Sequence, residues 1–188
     1  MRTLIAMPAR LRADRRGLAA VEFAMTAPFL ILLYLGGYQL MDATSAYRKV
    51  TTTTRTLADL TTQYSDIQAA DIDSIMGAAT SVMTPYPASN ATTRISAIAI
   101  SSTGMPSVTW SRANSGAALK TSDLLTNPTT PNNVVPSQLR IANTTLIMAE
   151  VGYDYIPVAG ARLLGPINFR DRIFMNPRRS TSIPCKDC

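Results

Sequence analysis

An apolar run near the start of the chain constrains its fold more than any other feature. Residues 18–41, LAAVEFAMTAPFLILLYLGGYQLM, contain a single formal charge, that of Glu22. As an α-helix this run extends about 36 Å, which exceeds the roughly 30 Å hydrocarbon core of a bilayer. We therefore predict a transmembrane helix over residues 18–41.

The charges on either side of the run predict its orientation. The first 17 positions hold five arginines and one aspartate, and Asp42 follows the run. Basic residues favour the cytoplasmic side. We expect residues 1–17 to be a basic cytoplasmic leader and the chain beyond the apolar run to lie on the other side of the membrane, in a periplasmic or extracellular space. The net charge of +6 is concentrated in this leader, so it does not indicate nucleic-acid binding.

Two other interpretations of the run remain open. A helix buried in a soluble core would have to cover seven consecutive apolar residues, 29–35, in a small domain. A cleaved secretory signal has an apolar region of about 7 to 15 residues that ends in small residues, and this chain offers only Thr44 and Ala46 there. The length of the run and the position of Glu22 favour the membrane helix.

Residue types argue against catalysis. The chain has no histidine, which excludes histidine-based triads and most catalytic zinc sites. It also lacks the glycine patterns of nucleophile elbows and phosphate-binding loops. Glu150 and Asp154 are four residues apart on a predicted strand, about 13 Å, which is too far for paired carboxylates, and we expect a solvated face there. We therefore expect no catalytic residues, no cofactor and no metal.

The junction between leader and helix resembles a known processing site. A basic leader ends at Gly17, an apolar helix starts at Leu18, and Glu22 and Phe23 follow. This pattern resembles type IV prepilins and most closely the TadE-like family of pilus assembly proteins. The resemblance implies that a prepilin peptidase cuts between Gly17 and Leu18 and that Glu22 takes part in assembly. Phe23 stands where many major pilins have tyrosine, which favours the minor, TadE-like branch.

The same resemblance implies the partners. These are the prepilin peptidase, other pilins or minor pilins, the inner-membrane assembly platform and the lipid bilayer, with no nucleic acid. Cleavage would leave an amine at Leu18, and Glu22 of an axially shifted neighbouring helix could compensate that charge where water is scarce. The alternative for Glu22 is that its side chain reaches the lipid headgroups without further role. Pro28, inside the apolar helix, predicts a bend that could matter for assembly.

Beyond the membrane the pattern predicts an α+β domain. Residues 42–64 should continue the helix, with apolar or small residues at intervals of three and four, although four consecutive threonines weaken that expectation. Residues 65–188 should form a head with a second helix over 66–83, capped by Ser65, and a small antiparallel sheet. The predicted strands are 93–101, 107–112, 144–156 and 167–175, and residues 113–138 read as an exposed loop.

Three smaller features complete the prediction. Trp110 reads as a core or interface anchor. The basic residues near the C-terminus read as a solvated edge strand or as a docking patch for an acidic partner; they are Arg170, Arg172, Arg178 and Arg179. Cys185 and Cys188, in an oxidising compartment, should form a local disulfide.

Two function classes follow from the sequence. The first is a non-enzymatic, membrane-anchored minor pilin or pseudopilin of a Tad (Flp) pilus system, processed at Gly17. The second is an uncleaved single-pass membrane protein whose periplasmic domain binds or catalyses something unrelated. The N-terminus of the mature chain distinguishes them.

Overall fold

The structure, a computed structural model, describes residues 17–124, 134–157 and 165–188. Contacts divide the chain into two compact units, Met1–Asp42 and Ala43–Cys188. The predicted α+β class is confirmed, because a long apolar helix is followed by a small four-stranded antiparallel sheet. The elements are α1 (Leu18–Thr62), α2 (Ala69–Ser81), β1 (Ala91–Ile100), β2 (Pro106–Ala113), α3 (Thr121–Leu124), β3 (Thr145–Tyr155) and β4 (Ile167–Met175). Residues 1–16 of the predicted leader lie outside the described residues.

Helix α1 combines the apolar run and its continuation in one element. It contains Pro28 and is 45 residues long. Within the described ranges it is the one helix long and apolar enough to cross a membrane. No residue in its most apolar 18-residue stretch is buried within the chain. An exposed apolar surface of this kind is costly in water and favourable in lipid. The first unit is therefore compatible with a single-pass membrane anchor.

The threonine run does not interrupt α1. Two of its hydroxyls and that of Thr56 donate to the backbone carbonyl four residues earlier: Thr52 to Arg48, Thr54 to Val50 and Thr56 to Thr52, at 2.9 to 3.0 Å. These bonds satisfy the hydroxyl without competing for the helix N–H groups. Thr53 and Thr54 are both fully buried on the side of the helix that faces the core.

The sheet has the strand order β2-β1-β3-β4, and its three strand pairings are antiparallel. All four predicted strands are present with ends shifted by at most two residues. A bulge opposite Ala97 and Ile98 leaves Thr109 without a register partner. Because one extra residue reverses the alternation of a strand, Trp110 and Val108 point to opposite faces of the sheet.

One face of the sheet packs on the two helices. The predicted stripe of α1 is confirmed as the stripe that contacts its own domain: Ala46, Val50 and Leu57 are fully buried, and Tyr64 is the exposed end of the pattern. They share a core with α2 and with the alternate residues of the strands that face them, which include Ile95, Ala97, Trp110, Ile147, Ala149, Val151 and Tyr153. A fully buried Leu, Ile or Val side chain contributes about 1.5 to 3 kcal/mol, so this face carries much of the stability of the head.

The opposite face carries a second, smaller core. Ile98, Leu146 and Met148 project from it and are covered by Leu119 and Val135. The prediction of an exposed loop over residues 113–138 is wrong for this part, because the connection from β2 to β3 supplies the apolar cover. Residues 125–133 lie outside the described residues. Single apolar residues among Ser, Asn and Pro have no periodicity, which is why the sequence did not reveal this role.

Helix α2 begins later than predicted. Its N-cap is Gln68, whose backbone N–H donates to Asp71 Oδ2 at 3.1 Å in a capping box. Ser65 instead donates its hydroxyl to Asp66 Oδ1, so the prediction that Ser65 caps the helix is wrong. The Asp71 carboxylate accepts the hydrogen bond from the Gln68 N–H, which has no acceptor within the helix, and this fixes the start of α2 at Gln68.

Trp110 confirms its predicted role as a core anchor and provides a test of the fold. It is 6% exposed, and its indole Nε1–H donates to the Ile183 carbonyl oxygen at 2.7 Å. We expect Trp110→Phe to lower the free energy of unfolding by about 1 to 3 kcal/mol, because it leaves a buried carbonyl unpaired. Urea unfolding of the detergent-solubilised protein, followed by far-UV circular dichroism, measures this change. Tyr47→Phe, which alters an exposed ring, is the control, and equal stabilities of the two variants would contradict the prediction.

Candidate functional site

The candidate site is the first three turns of α1, from Gly17 to Pro28. The Val21 N–H donates to the Gly17 carbonyl oxygen at 3.1 Å, so the peptide bond between Gly17 and Leu18 lies at the boundary between helix and preceding chain. A Cβ built on Gly17 would have no heavy atom within 4 Å among its non-neighbouring residues. Within the described residues, sterics therefore give no reason for a glycine here.

Glu22 lies on the exposed surface of α1. Its backbone carbonyl accepts a hydrogen bond from the Thr26 hydroxyl at 3.1 Å, and the same hydroxyl lies 3.2 Å from the Phe23 carbonyl oxygen. The described part of the chain provides no hydrogen bond or ion pair to the Glu22 carboxylate. An ionised side chain inside a membrane segment is costly and usually has a partner. The carboxylate is thus available to another molecule.

Phe23 and Pro28 complete the segment. The Phe23 side chain is 67% exposed, next to Glu22. The helix continues through Pro28, which has no N–H to offer to the carbonyl of Ala24. This segment presents a helix surface with one carboxylate and no neighbouring nucleophile or general base among the described residues. Its geometry suits contact with another helix better than a chemical reaction.

The sheet contains a charged group that the sequence did not predict. Glu150 lies between Arg94 on β1 and Arg172 on β4 in the strand register, and its side chain is 15% exposed. Glu150 Oε2 accepts from Arg94 Nε at 2.6 Å, and Oε1 accepts from Arg172 Nε at 2.5 Å. The expectation of a solvated face is therefore wrong for Glu150, because cross-strand neighbours bring two guanidinium groups to one carboxylate.

Asp154 and the C-terminal arginines have separate surroundings. Asp154 is exposed and accepts a hydrogen bond from the side-chain amide of Asn168. Arg178 pairs with Asp59 of α1 and not with the sheet. The four arginines therefore do not form one patch: Arg170 and Arg172 lie on β4, an edge strand, whereas Arg178 and Arg179 follow it.

Residues 183–188, here named the C-terminal clasp, bind the chain just before α2. Ile67 N–H donates to the Pro184 carbonyl oxygen at 3.1 Å, and Lys186 N–H donates to the Ile67 carbonyl oxygen at 3.3 Å. The Asp187 carboxylate accepts a hydrogen bond from Ala69 N–H, the first residue of α2, at 2.7 Å. An anionic group at this place also interacts favourably with the helix dipole.

A disulfide joins Cys185 to Cys188 within the clasp. Asp187 lies close enough to both sulfur atoms for the three residues to share a metal ion. With both sulfur atoms in the disulfide, however, they offer no thiolate for such an ion. In this arrangement the cysteines close the clasp.

Comparison with known proteins points to the same segment of α1. Residues 17–59 match a family model described as TadE-like protein. The match covers 43 of the 188 residues, begins at Gly17 and ends inside α1. Comparisons with curated proteins and with solved structures found no match.

Acid should loosen the clasp. A hydrogen bond and the charge of Lys186 lower the pKa of Asp66, and hydrogen bonds from Arg112 lower the pKa of Asp73. A carboxyl whose pKa is lower in the folded state stabilises the fold above its unfolded pKa of about 3.9, and this contribution is lost as the pH falls through the folded value. We expect the exchange protection of the Ile67 and Lys186 amides to hold down to about pH 4 and to decrease as the pH falls further through the lowered pKa of Asp66, relative to amides of β3. Hydrogen exchange measured by mass spectrometry or NMR tests this.

Lys186→Gln is the matched control for the acid experiment. It removes the charge that lowers the pKa of Asp66 and leaves the backbone bonds of the clasp in place. The variant should show weaker protection at pH 6 and a smaller change on acidification. Protection that is identical in both proteins at every pH would contradict the prediction.

Proposed function

We propose that this protein is a membrane-anchored component of Tad (Flp) pilus assembly that acts as a minor pilin or pseudopilin and not as an enzyme. The observation that carries the proposal is the match to the TadE-like model, which begins at Gly17, the residue just before α1. The long exposed apolar surface of α1 supports the membrane anchor. The absence of histidine from the sequence is consistent with a role in contact and not in catalysis.

Processing between Gly17 and Leu18 by a prepilin peptidase is part of this proposal. Glycine at a helix boundary presents a backbone without a side chain, which an enzyme can approach closely. No described residue crowds Gly17, which is compatible with the approach of a protease to the peptide bond that follows it. The leader would then be cytoplasmic, α1 would cross the inner membrane, and the head would lie in the periplasm.

Glu22 would link the anchor to other pilins. Cleavage leaves a positively charged amine at Leu18, and a charge in a low-dielectric environment needs compensation. The exposed Glu22 carboxylate of one chain could provide it for a neighbouring helix that is shifted along its axis. This contact would set the register between subunits in the membrane, since a displaced neighbour would leave both charges unpaired.

The head would then contribute surface to the assembly. Its two cores, its two-arginine contact to Glu150 and its clasp are internal features that keep this surface in one conformation. The alternative, an uncleaved anchored protein with an unrelated binding or catalytic domain, makes a different prediction for the N-terminus.

We expect the mature protein to begin at Leu18 when it is isolated from cells that contain a prepilin peptidase. Intact-mass and N-terminal analysis measure this directly. Gly17→Val should accumulate uncleaved chain, because a β-branched side chain hinders backbone approach. Gly36→Val, which also meets no neighbouring atom, is the matched control and should be processed normally. A mature chain that begins at Met1 would support the uncleaved alternative, and one that begins at Tyr47 would indicate signal-peptide cleavage.

Glu22→Ala should leave processing intact and weaken association with pilin partners. Loss of one charge contact in a membrane should reduce co-purification with those partners by about tenfold, or about 1.4 kcal/mol. Quantitative mass spectrometry of proteins that co-purify with the tagged chain measures this. Asp42→Asn, which removes a carboxylate beyond the other end of the apolar run, is the control. Unchanged co-purification of the Glu22 variant would refute the role of this residue.

A further inference from the structure

The open part of the second sheet face contains a pocket that the function proposed above does not use. Its volume is about 490 Å³, and strands β1, β3 and β4 line it together with residues 115–117. The row Arg94, Glu150 and Arg172 forms one side. The next row across the same strands, Thr92, Gly152 and Arg170, forms the floor.

Gly152 leaves the floor of the pocket without a side chain where β3 crosses it. A Cβ on this residue would lie 2.6 Å from Thr92 Oγ1, closer than real Cβ atoms come to other heavy atoms. A side chain at this position would also project from the same face as Glu150 and fill the space above β3. The glycine therefore leaves a recess between two strands that carry hydrogen-bond donors.

The side chains in this recess offer mainly donors. Three arginines line the pocket, and the one carboxylate of this face within the lining, Glu150, already accepts hydrogen bonds from two of them. Asp154 follows on the same face of β3, outside the lining, and accepts a hydrogen bond from Asn168. Asp171 also lines the pocket, but strand alternation directs its side chain to the other face. Among the described residues, the Arg170 side chain forms one hydrogen bond, from Nε to Asn168 Oδ1 at 2.8 Å. Its two terminal nitrogens therefore remain available, and the net charge of this face is positive.

We propose that this pocket binds an acidic segment of another protein and takes a Glu or Asp carboxylate between Arg170 and Arg172. A planar guanidinium binds a carboxylate with two parallel hydrogen bonds, and the Ser115 hydroxyl is a further donor in the lining. Glu150 positions Arg172 for this contact because it fixes that guanidinium at Nε, while Nη1 donates to the Val134 carbonyl oxygen at 3.5 Å and Nη2 is left for the ligand.

The occupant is a different protein and not a second copy of this chain. The carboxylates of the described head are largely engaged within the chain: Asp59 with Arg178, Asp66 with Lys186, Asp73 with Arg112 and Asp187 with Ala69. A second copy that presented one of these four groups would first have to break its contact, whereas an external acidic segment has no such cost.

Fluorescence anisotropy with the full-length protein in neutral detergent tests the proposal. The probe is a labelled peptide of alternating glycine and glutamate, and a peptide of glycine and glutamine is the uncharged control. The acidic probe should bind, the control should not, and Arg170→Gln should weaken binding about fivefold to tenfold. Arg48→Gln removes the same charge from an exposed position on α1 and should change the affinity less than about twofold. Because the probe needs no pilus component, the outcome is independent of the proposed role in pilus assembly.

Three results would overturn the proposal. Equal binding of the charged and uncharged peptides would show that charge does not direct recognition. Equal effects of Arg170→Gln and Arg48→Gln would show that the net positive charge of the chain, and not the pocket, attracts the probe. Binding to vesicles that contain phosphatidylglycerol, lost in Arg170→Gln while peptide binding is unchanged, would assign the pocket to a lipid headgroup.

Discussion

The contact of α1 with the sheet is the interaction on which the rest of the head depends. The stripe of Ala46, Val50 and Leu57 is fully buried and faces strand residues such as Ile95 and Ile147, which are also fully buried. The clasp and α2 pack on the same core.

Helix α1 belongs to both units of the chain, and the exposure of its apolar side chains differs between them. Residues of α1 in the first unit expose large apolar side chains, including Phe29 and Leu32, which only lipid or another apolar surface can stabilise. Residues of α1 in the second unit are polar on one side and buried on the other. The threonine hydroxyls that bond to the preceding turn permit this change of surroundings without a break in the helix.

The described structure gives no internal contact that accounts for Gly17 or Glu22, and Gly17 shares this property with Gly36, Gly37 and Gly77. Gly17 has open space where a side chain would be, and the Glu22 carboxylate has no described partner. Gly152 and Glu150 show the contrast, because close atoms require one and two arginines hold the other. Where a carboxylate in an apolar helix has no partner in the described structure, contact with another molecule is the simplest physical explanation for it.

The sequence by itself determined the apolar anchor, the start of α1, the four strands and the segment that carries Gly17 and Glu22. Residue type and periodicity over a few turns or strand positions encode these features. Only the tertiary structure decided that Glu150 is held by Arg94 and Arg172, because these residues are more than twenty positions apart and meet only when three strands pair in register. The same holds for Leu119 and Val135, isolated apolar residues in a polar stretch that become a core when the connection folds over the sheet. Local pattern specifies elements, whereas contacts between distant positions depend on the register and the bulge that place them together.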